Sequence, residues 1–255
     1  GGKTLAALIP AQVHTYEEFE DVEGQNYTFG VLFKPTERLS IGAVYHTAYS
    51  TDVKYKRETK FVLPFGFLYY KSRIRIDWPE AYGLGIAYRF PNDKLTLSMD
   101  VSRRDWSDFV QIDNRQGLND RISPITQLPM WNSPQDPTYS VRLGGEYVFV
   151  DPSKPRQRLL PSLRAGLYYD PQPASGRRDR WWGVSRGDGK PDDYYGVTLG
   201  GGLLIGSRVN IDLAYEYRWG NNVRKDTLAG AGIFERGFDT DVDQHSLYLS
   251  TVIYF

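Results

Sequence analysis

The feature that most constrains this fold is a strict two-residue alternation of apolar and polar side chains. Residues 208–220, RVNIDLAYEYRWG, show it most clearly. One row is apolar and ends in aromatics, whereas the other, from Arg208 to Arg218, is polar or charged apart from Ala214. Successive side chains of a β-strand point to opposite faces, so this stretch is predicted to be one strand with a greasy face and a charged face.

The same alternation recurs along most of the chain and predicts nine strands. They are 27–33, 39–49, 73–90, 95–102, 139–149, 160–170, 194–206, 208–220 and 246–255. Residues 73–78 keep the alternation of 82–90 across Pro79, so the sequence predicts a single long strand kinked at that proline.

Short and long connections alternate without exception. The short ones, rich in turn formers, are 34–38, 91–94, 151–158 and 206–207. The long polar ones lie at about 57–66, 110–138, 171–192 and 221–242. Tight turns at one end and long loops at the other are typical of outer-membrane barrels, whereas soluble sandwiches rarely alternate so regularly.

Composition then favours a membrane protein over a soluble one. The chain has 31 basic and 31 acidic residues, so it lacks the positive charge of a nucleic-acid binder. Aromatics make up 15 % of it and stand at the ends of the apolar rows, like the girdles at the two bilayer interfaces. We therefore predict an all-β protein, an antiparallel transmembrane β-barrel of the bacterial outer membrane with apolar rows toward lipid. A soluble β protein is the alternative.

The odd number of predicted strands indicates a boundary in the chain near residue 25. Bacterial single-chain barrels have an even number of strands, so a partner strand for the first one is missing or unrecognised before residue 25. We therefore predict an N-terminal segment at 1–24, holding one outgoing strand or the remnant of a plug, and a barrel at 25–255. The last strand ends at Phe255, a pattern similar to the signal read by the barrel-assembly machinery.

Four stretches form a distinctive order of strands and loops. They are YTFGVLFKPTERLSIGAVYHTAYSTDVKY (27–55), IRIDWPEAYGLGIAYRFPNDKLTLSMDVSRRDWSDF (74–109), YSVRLGGEYVF (139–149) and LPSLRAGLYYDPQP (160–173). The second contains a Pro-Glu pair before an aromatic-rich strand and a W-S-x-F ending. In this order and spacing they resemble the C-terminal two-thirds of the FadL/TodX family of outer-membrane transporters for hydrophobic compounds.

The resemblance implies a fourteen-stranded barrel with an N-terminal hatch in its lumen. Ligands would enter from the outer loops and leave sideways through an opening in the wall. This sequence lacks about five of those strands and the hatch, so no residue of either is carried over. The implied function is passive uptake of hydrophobic compounds such as long-chain fatty acids or aromatic hydrocarbons, with no enzyme activity and no cofactor.

The polar rows supply the first candidate site, a set of charged residues expected to face the lumen. They are Arg73, Arg75, Asp77, Arg89, Asp100, Arg142, Glu146, Arg164, Arg208, Asp212, Glu216 and Arg218. They would steer amphipathic ligands or bind their carboxylates. The alternative is an ionic ladder that cross-links the barrel interior, because an unpaired buried charge is costly.

Apolar side chains in the long loops supply the second candidate site. Exposed apolar clusters usually mark binding surfaces, so we predict a capture site for hydrophobic ligands outside the membrane. Its residues are Phe61, Leu63, Phe65, Phe67, Leu68, Ile122, Ile125, Leu128, Met130 and Trp131. Packing of loop against loop without a ligand is the alternative.

Other functions and partners stay open at this stage. A structural or secretion-associated barrel of the same family would share every strand feature, and an outer-membrane hydrolase would depend on His46. Residues 177–182, RRDRWW, could bind lipopolysaccharide phosphate at the membrane rim, beside the outer-membrane lipids. No metal site is predicted, since the acidic spacing in RGDGKPDD (186–193) lacks the regular ligand positions of a calcium loop.

Overall fold

The computed structural model describes residues 13–61, 67–113, 120–125, 129–131, 133–151, 153, 157–174, 188–206, 208–226 and 237–254. Its strands are β1 (Val13–Gly24), β2 (Thr28–Phe33), β3 (Leu39–His46), β4 (Tyr49–Phe61), β5 (Phe67–Trp78), β6 (Ala81–Arg89), β7 (Leu95–Arg104), β8 (Val110–Asp113), β9 (Asp120–Ile122), β10 (Thr138–Val148), β11 (Leu159–Tyr169), β12 (Tyr195–Ile205), β13 (Val209–Asp226) and β14 (Gly237–Ile253). A 3-10 turn spans Trp106–Asp108. In these ranges no helix has the length and apolarity that crossing a bilayer requires.

Nine of the strands form one antiparallel sheet, the wall, in the order β14-β13-β12-β11-β10-β7-β6-β3-β2. Strands β6, β7, β10, β11 and β12 contain 9, 10, 11, 11 and 11 residues. That is the length needed to cross a bilayer at a tilt. Each of the nine predicted alternating stretches therefore contributes one strand to the wall, although the stretch 73–90 does so only through β6.

The two edge strands of the wall, β2 and β14, are unpaired on their outer sides in the described part of the chain. An even number of antiparallel pairings separates them, so they run in the same direction. They cannot close the sheet by pairing antiparallel with each other. Antiparallel closure therefore requires an odd number of further strands between β14 and β2.

One face of the wall is apolar and open to its surroundings. Leu84, Leu163, Leu199 and Leu213 are 64 %, 57 %, 61 % and 50 % exposed. A contiguous apolar surface of this extent is rare on a soluble monomer, whereas lipid covers it in a membrane. The apolar rows thus lie together on one exposed face, as predicted for rows that face lipid.

The connections of the wall alternate in length as predicted. At one end the chain turns tightly after β2, β6 and β12, with positive φ angles of 55° at Asp93 and 57° at Gly206. At the opposite end lie the connections after β3, β7, β11 and β13. By analogy with outer-membrane barrels, this second end is the external one.

A second sheet extends the wall at the external end, in the order β1-β4-β5-β8-β9. We call it the upper sheet. Strands β1, β4, β5 and β8 continue the lines of β2, β3, β6 and β7, and they pair in the same order. All four lines are interrupted at one level, at 25–27, 47–48, 79–80 and 105–109.

The prediction of one long strand kinked at Pro79 is therefore wrong, because β5 and β6 belong to different sheets. Proline has no N–H for the ladder, and the chain leaves the strand conformation at Pro79 and Glu80. The Glu80 carboxylate accepts hydrogen bonds from the phenols of Tyr45 at 3.0 Å and Tyr82 at 2.6 Å. The interruption thus holds two wall tyrosines in place.

The predicted N-terminal segment 1–24 contributes β1, which pairs with β4. Residues 1–12 lie outside the described residues. Whether 1–24 and 25–255 are separate units stays a prediction.

Candidate functional site

The polar face of the wall is a network that crosses several strands. Arg164 on β11 donates from Nε to Glu146 Oε1 at 2.8 Å and from Nη1 to Asp212 Oδ1 at 2.6 Å. Glu146 lies on the neighbouring strand β10, but Asp212 lies on β13, beyond β12. One guanidinium therefore links strands on both sides of its own.

Glycines on β12 make this reach possible. A Cβ at Gly202 would lie 2.6 Å from Asp212 Oδ1 and 2.7 Å from Ser162 Oγ. A Cβ at Gly196 would overlap the ring of Tyr168. The small residues of the polar rows thus let long side chains from β11 and β13 lie flat across β12.

A second cluster centres on Glu216. Its carboxylate accepts hydrogen bonds from the phenols of Tyr168 on β11 and Tyr248 on β14, the latter at 2.8 Å. A third joins Arg142 Nη2 and Ser140 Oγ to Asp170 Oδ1, at 3.2 Å and 2.7 Å.

Arg218 differs from these arginines. Its guanidinium lies over the Tyr194 ring, with Cζ 4.0 Å from the ring centre. Its Nε and Nη2 atoms are buried and have no hydrogen-bond partner among the residues that the structure describes. The alternation in the sequence predicted that Arg218 belongs to the charged row, but it did not predict that two of its nitrogens would lack a hydrogen-bond partner.

A hollow of about 530 Å³ lies on the polar face of the wall. Polar side chains from β7, β10, β11 and β12 line it, including Asp100, Arg142, Glu146, Arg164, Tyr168 and Thr198. Four of the predicted lumen residues are thus brought together. Arg89 and Arg208 lie instead at the tight-turn end of the wall.

Arg73, Arg75 and Asp77 lie outside the wall, on β5 of the upper sheet. Arg75 Nε donates to Asp77 Oδ1 at 2.7 Å, and Arg75 Nη2 donates to Ser50 Oγ at 2.9 Å. The expectation that these three residues line the membrane-embedded lumen with the others depended on an uninterrupted strand through Pro79. Because the strand is interrupted there, they belong to the extension beyond the wall.

Acidic β1 and basic β4 pair by charge in the upper sheet. The ammonium of Lys54 contacts the Asp21 carboxylate, and hydrogen bonding and charge attraction from Lys54 lower the pKa of Asp21. Lys56 Nζ lies 2.6 Å from Glu20 Oε1 and 3.5 Å from Glu18 Oε2. The hydrogen bond with Glu20 raises the pKa of Lys56.

One face of the upper sheet is buried. Thr51, Val53 and Ile74 are 6 %, 4 % and 1 % exposed, and Trp78 Nε1 donates to Thr51 Oγ1 at 2.5 Å. This packing outside the wall gives the external end a fixed structure of its own.

The described residues of the connection between β9 and β10, part of the predicted capture site, include several that are packed into the molecule. Ser123 and Ser133 are fully buried, and Gln135 Nε2 donates to Ser123 Oγ at 2.5 Å. The Met130 amide donates to the Arg121 carbonyl at 3.0 Å. The loop is thus held in shape by polar contacts from within.

The apolar side chains of that loop differ in exposure. Trp131 is 72 % exposed and Ile125 is 39 % exposed, whereas Ile122 and Met130 are partly buried. Leu128 lies outside the described residues. Trp131 and Ile125 therefore present apolar surface to solvent from a packed loop.

The other half of the predicted capture site lies at the tip of the β4–β5 hairpin. Phe61 ends β4, Phe67 and Leu68 begin β5, and Leu63 and Phe65 lie outside the described residues. Phe67 is seven residues along β5 from Ile74, which pairs with β8. At about 3.3 Å per residue that is roughly 23 Å. The described residues therefore do not bring the two halves together.

Sequence reasoning missed a row of phenol–carboxylate pairs at the external girdle. Besides the Glu80 pairs, Tyr169 donates to Asp193 and Tyr217 donates to Asp243, each at 2.6 Å. The signal was present in part, because Glu80 stands two residues before Tyr82 in the sequence. These pairs hold the polar ends of the girdle tyrosines at the interface.

The two described histidines with side-chain contacts bind hydroxyl groups. His46 Nδ1 lies 2.9 Å from Thr28 Oγ1, and His245 Nδ1 lies 2.7 Å from the Tyr215 phenol oxygen. In the ranges that the structure describes, no three His, Asp or Glu side chains are grouped to hold a metal ion. Residues 177–182, the predicted lipopolysaccharide contact, lie outside those ranges.

Comparison with known proteins agrees with this architecture. Residues 9–253 match the family described as outer membrane protein transport protein (OMPP1/FadL/TodX). No curated protein matches the sequence.

Three solved structures share the fold. A FadL homologue from Pseudomonas aeruginosa has a TM-score of 0.63 at 22 % identity, covering 88 % of this chain and 51 % of the other. The toluene transporter TodX from Pseudomonas putida has a TM-score of 0.55 at 17 % identity, with coverages of 96 % and 54 %. The monoaromatic hydrocarbon channel CymD has a TM-score of 0.52 at 14 % identity, with coverages of 89 % and 50 %.

The chain spans about half the length of these solved structures. The family match, in contrast, runs through nearly all of the sequence. The chain therefore belongs to the outer membrane protein transport family (OMPP1/FadL/TodX), with an antiparallel β-barrel fold and an outer-membrane location.

Proposed function

We propose that this protein takes up hydrophobic compounds, such as long-chain fatty acids or aromatic hydrocarbons, passively across the outer membrane. The observation that carries the proposal is the apolar surface of Trp131 and Ile125 on a packed loop beyond the wall. Burying an apolar ligand there gains roughly 25 cal/mol per Å². The names of TodX and CymD, a toluene transporter and a monoaromatic hydrocarbon channel, support the same ligand class.

The polar face of the wall is the proposed lumen lining. Its hollow and its network of Arg164, Glu216 and Asp212 lie opposite the apolar face. A ligand released from the loops would pass weaker, partly polar sites inside, and its concentration gradient would drive the inward movement.

The outer face supports contact with outer-membrane lipids and lipopolysaccharide. The girdle tyrosines and their carboxylates, such as Tyr217 with Asp243, suit the boundary between acyl chains and polar head groups. The proposed interaction with the barrel-assembly machinery rests on the exposed apolar row of β14, Leu247 and Leu249. Phe255 itself lies outside the described residues.

Uptake of radiolabelled oleate and toluene tests the proposal. Replacing Phe65, Phe67, Met130 and Trp131 together by Ser is expected to reduce uptake while the barrel still assembles. The pair Met130→Ser and Trp131→Ser tests the described loop alone. Val22→Ser, at a 62 % exposed apolar position on β1, is the matched control.

Unchanged uptake by a correctly assembled quadruple variant would remove the loops from the mechanism. That outcome would favour a structural or secretion-associated barrel, which should co-purify with a stable protein partner.

A further inference from the structure

We propose that the charged face of the upper sheet binds the phosphate groups of lipopolysaccharide through Lys71 and Arg73 on β5. The inference rests on the lipopolysaccharide contact in the proposed function and deepens it by naming a site, and it does not depend on ligand uptake. It begins from three exposed cations that alternate along one face of β5, namely Lys71, Arg73 and Arg75.

The direction of this face follows from contacts where the wall meets the upper sheet. Trp106 Nε1 donates to Thr138 Oγ1 at 2.8 Å. Trp106 and Thr138 also line a hollow of about 400 Å³ together with Ser140 and Arg142 of the polar face of the wall. The Trp106 ring is therefore on the same side of the molecule as the polar face.

The buried face of the upper sheet is joined to Trp106 through Phe109. The Phe109 ring centre lies 5.7 Å from that of Trp106 and 5.0 Å from that of Trp78. Trp78 in turn donates to Thr51 on the buried face, which also contains Ile74. The buried face thus lies on the side of the polar face of the wall. Because successive side chains of a strand point to opposite faces, the cations on either side of Ile74 point away from the barrel interior.

The two outer cations have no carboxylate of their own. Lys71 lies directly opposite Lys56, and Arg73 lies directly opposite Lys54. The Asp21 carboxylate is bound by Lys54, and Arg73 attracts it only from a longer distance. In the part of the chain that the structure describes, Lys71 and Arg73 form no ion pair. Like charges directly opposite one another destabilise a sheet, so an anion from outside would offset a repulsion that is built into β4 and β5.

The height of the two cations favours lipopolysaccharide as the source of that anion. Glu80 marks the external girdle, and Arg73 and Lys71 lie seven and nine residues from it along the chain. At about 3.3 Å per residue and a tilt of about 40°, they stand roughly 18 and 23 Å above the girdle. Acyl chains and phospholipid head groups lie lower, whereas the phosphorylated sugars of lipopolysaccharide extend to this level. An arginine binds phosphate with two parallel hydrogen bonds, and a lysine adds a point charge.

Arg75 is not part of the proposed pair. Its Nε donates to Asp77 Oδ1 at 2.7 Å, and Asp52 lies directly opposite it on β4. The carboxylates thus gather at the lower end of the stripe and leave its upper end positive.

Binding of purified lipopolysaccharide to the full-length protein in detergent tests the proposal. The probes are rough lipopolysaccharide and the same material after its phosphates are removed with hydrofluoric acid, so that sugars and acyl chains are shared. The wild type is expected to bind the phosphorylated form more tightly. Lys71→Gln combined with Arg73→Gln should weaken that binding roughly 25-fold, about fivefold for each cation near an anionic surface. Its affinity for the dephosphorylated form should equal that of the wild type.

A matched control removes the same two kinds of charge at the tight-turn end of the wall. Lys34→Gln combined with Arg158→Gln, both at exposed positions, should keep the preference for the phosphorylated form. An equal loss of binding in this control would show a general effect of net charge and would overturn the inference. So would a preference that survives in the Lys71 and Arg73 double variant, or equal binding of both probes by the wild type.

Hydrogen exchange separates binding from folding in the double variant. Because the substitutions remove two like-charge pairs, exchange in β4 and β5 should be no faster than in the wild type. Faster exchange would show that Lys71 and Arg73 stabilise the sheet from within, which contradicts the inference. Uptake of uncharged toluene by the double variant should equal that of the wild type. Absence of toluene uptake by the wild type counts against the proposed uptake function alone.

Discussion

Arg164 and Asp212 are joined at 2.6 Å between Nη1 and Oδ1, although a complete strand, β12, lies between them. The bond exists because the residues of β12 that it passes, Gly200 and Gly202, have no side chains. Since the Arg164 side chain is 47 % exposed, solvent screens the pair, and its contribution to stability is about 1 kcal/mol or less. Its main consequence is to fix the relative positions of three strands.

Gly196→Ala tests whether side chains must lie flat across β12. The new Cβ would overlap the Tyr168 ring and displace its phenol from Glu216. Losing a hydrogen bond to a charged group lowers the free energy of unfolding by about 2 kcal/mol. The variant barrel should therefore unfold, and change its gel mobility, at a lower temperature than the wild type. Gly201→Ala is the control, because a Cβ there would meet its nearest atom at 3.6 Å. Equal stability of the two variants would contradict the role given to Gly196.

Leu213→Arg tests the orientation of the wall. Leu213 is 50 % exposed on the apolar face, and an arginine in mid-bilayer costs about 2–4 kcal/mol. We expect impaired membrane assembly, measured by heat-modifiable migration of the outer-membrane fraction. Asp212→Asn, its neighbour on the polar face, should assemble. If both variants assembled equally well, the assignment of the two faces would be wrong.

Ile74→Ala tests the independence of the upper sheet. Ile74 is 1 % exposed, and truncating a buried isoleucine costs about 2–5 kcal/mol. Hydrogen exchange should become faster in β4 and β5 and stay unchanged in β10 to β13. Val31→Ala, at a position that is 68 % exposed, should alter neither region. Faster exchange throughout the wall would show that the two sheets unfold as one unit.

The Asp21–Lys54 pair predicts a pH dependence of the upper sheet. The pKa of Asp21 is lowered in the folded protein from its ordinary 3.8, so the folded state binds fewer protons there than the unfolded state. Its stabilising effect is therefore complete above the ordinary pKa and is lost as the pH falls through the lowered one. Hydrogen exchange of β1, corrected for intrinsic rates, should show this loss in acid.

Asp21→Asn is the matched variant, because asparagine tolerates the positive φ of 47° at this position. In this variant the β1 amides should be less protected from hydrogen exchange than in the wild type at pH 7. At low pH the two proteins should be equally protected. A constant difference across the whole pH range would contradict the assignment to Asp21.

Much of the wall was predictable from the sequence. The two-residue alternation assigns each residue to a face without reference to its neighbours, so residues such as Leu213 and Asp212 were placed correctly on opposite faces. Turn formers, including Asp93 at positive φ, marked the tight connections. The family resemblance was likewise visible in the order of the strands and the spacing of the loops.

The upper sheet was not predictable in the same way. The alternation continues on both sides of Pro79, so the pattern alone does not show that β5 and β6 belong to different sheets. The interruption depends on neighbouring strands that break at the same level. The capture residues Phe67 and Trp131 were grouped because both are apolar and external, but only strand pairing shows that β5 meets β8 at Ile74, seven residues away from Phe67.

The sequence by itself determined which face of the wall meets lipid, because side-chain direction in a strand is a local property of the backbone. Only the tertiary structure decided which charged side chains pair with one another across the polar face of the wall. Arg164 reaches Asp212, and Tyr168 reaches Glu216, through registers set by several strands together and through glycines that let side chains pass. Such contacts join residues 48 positions apart in sequence, and no local pattern records them.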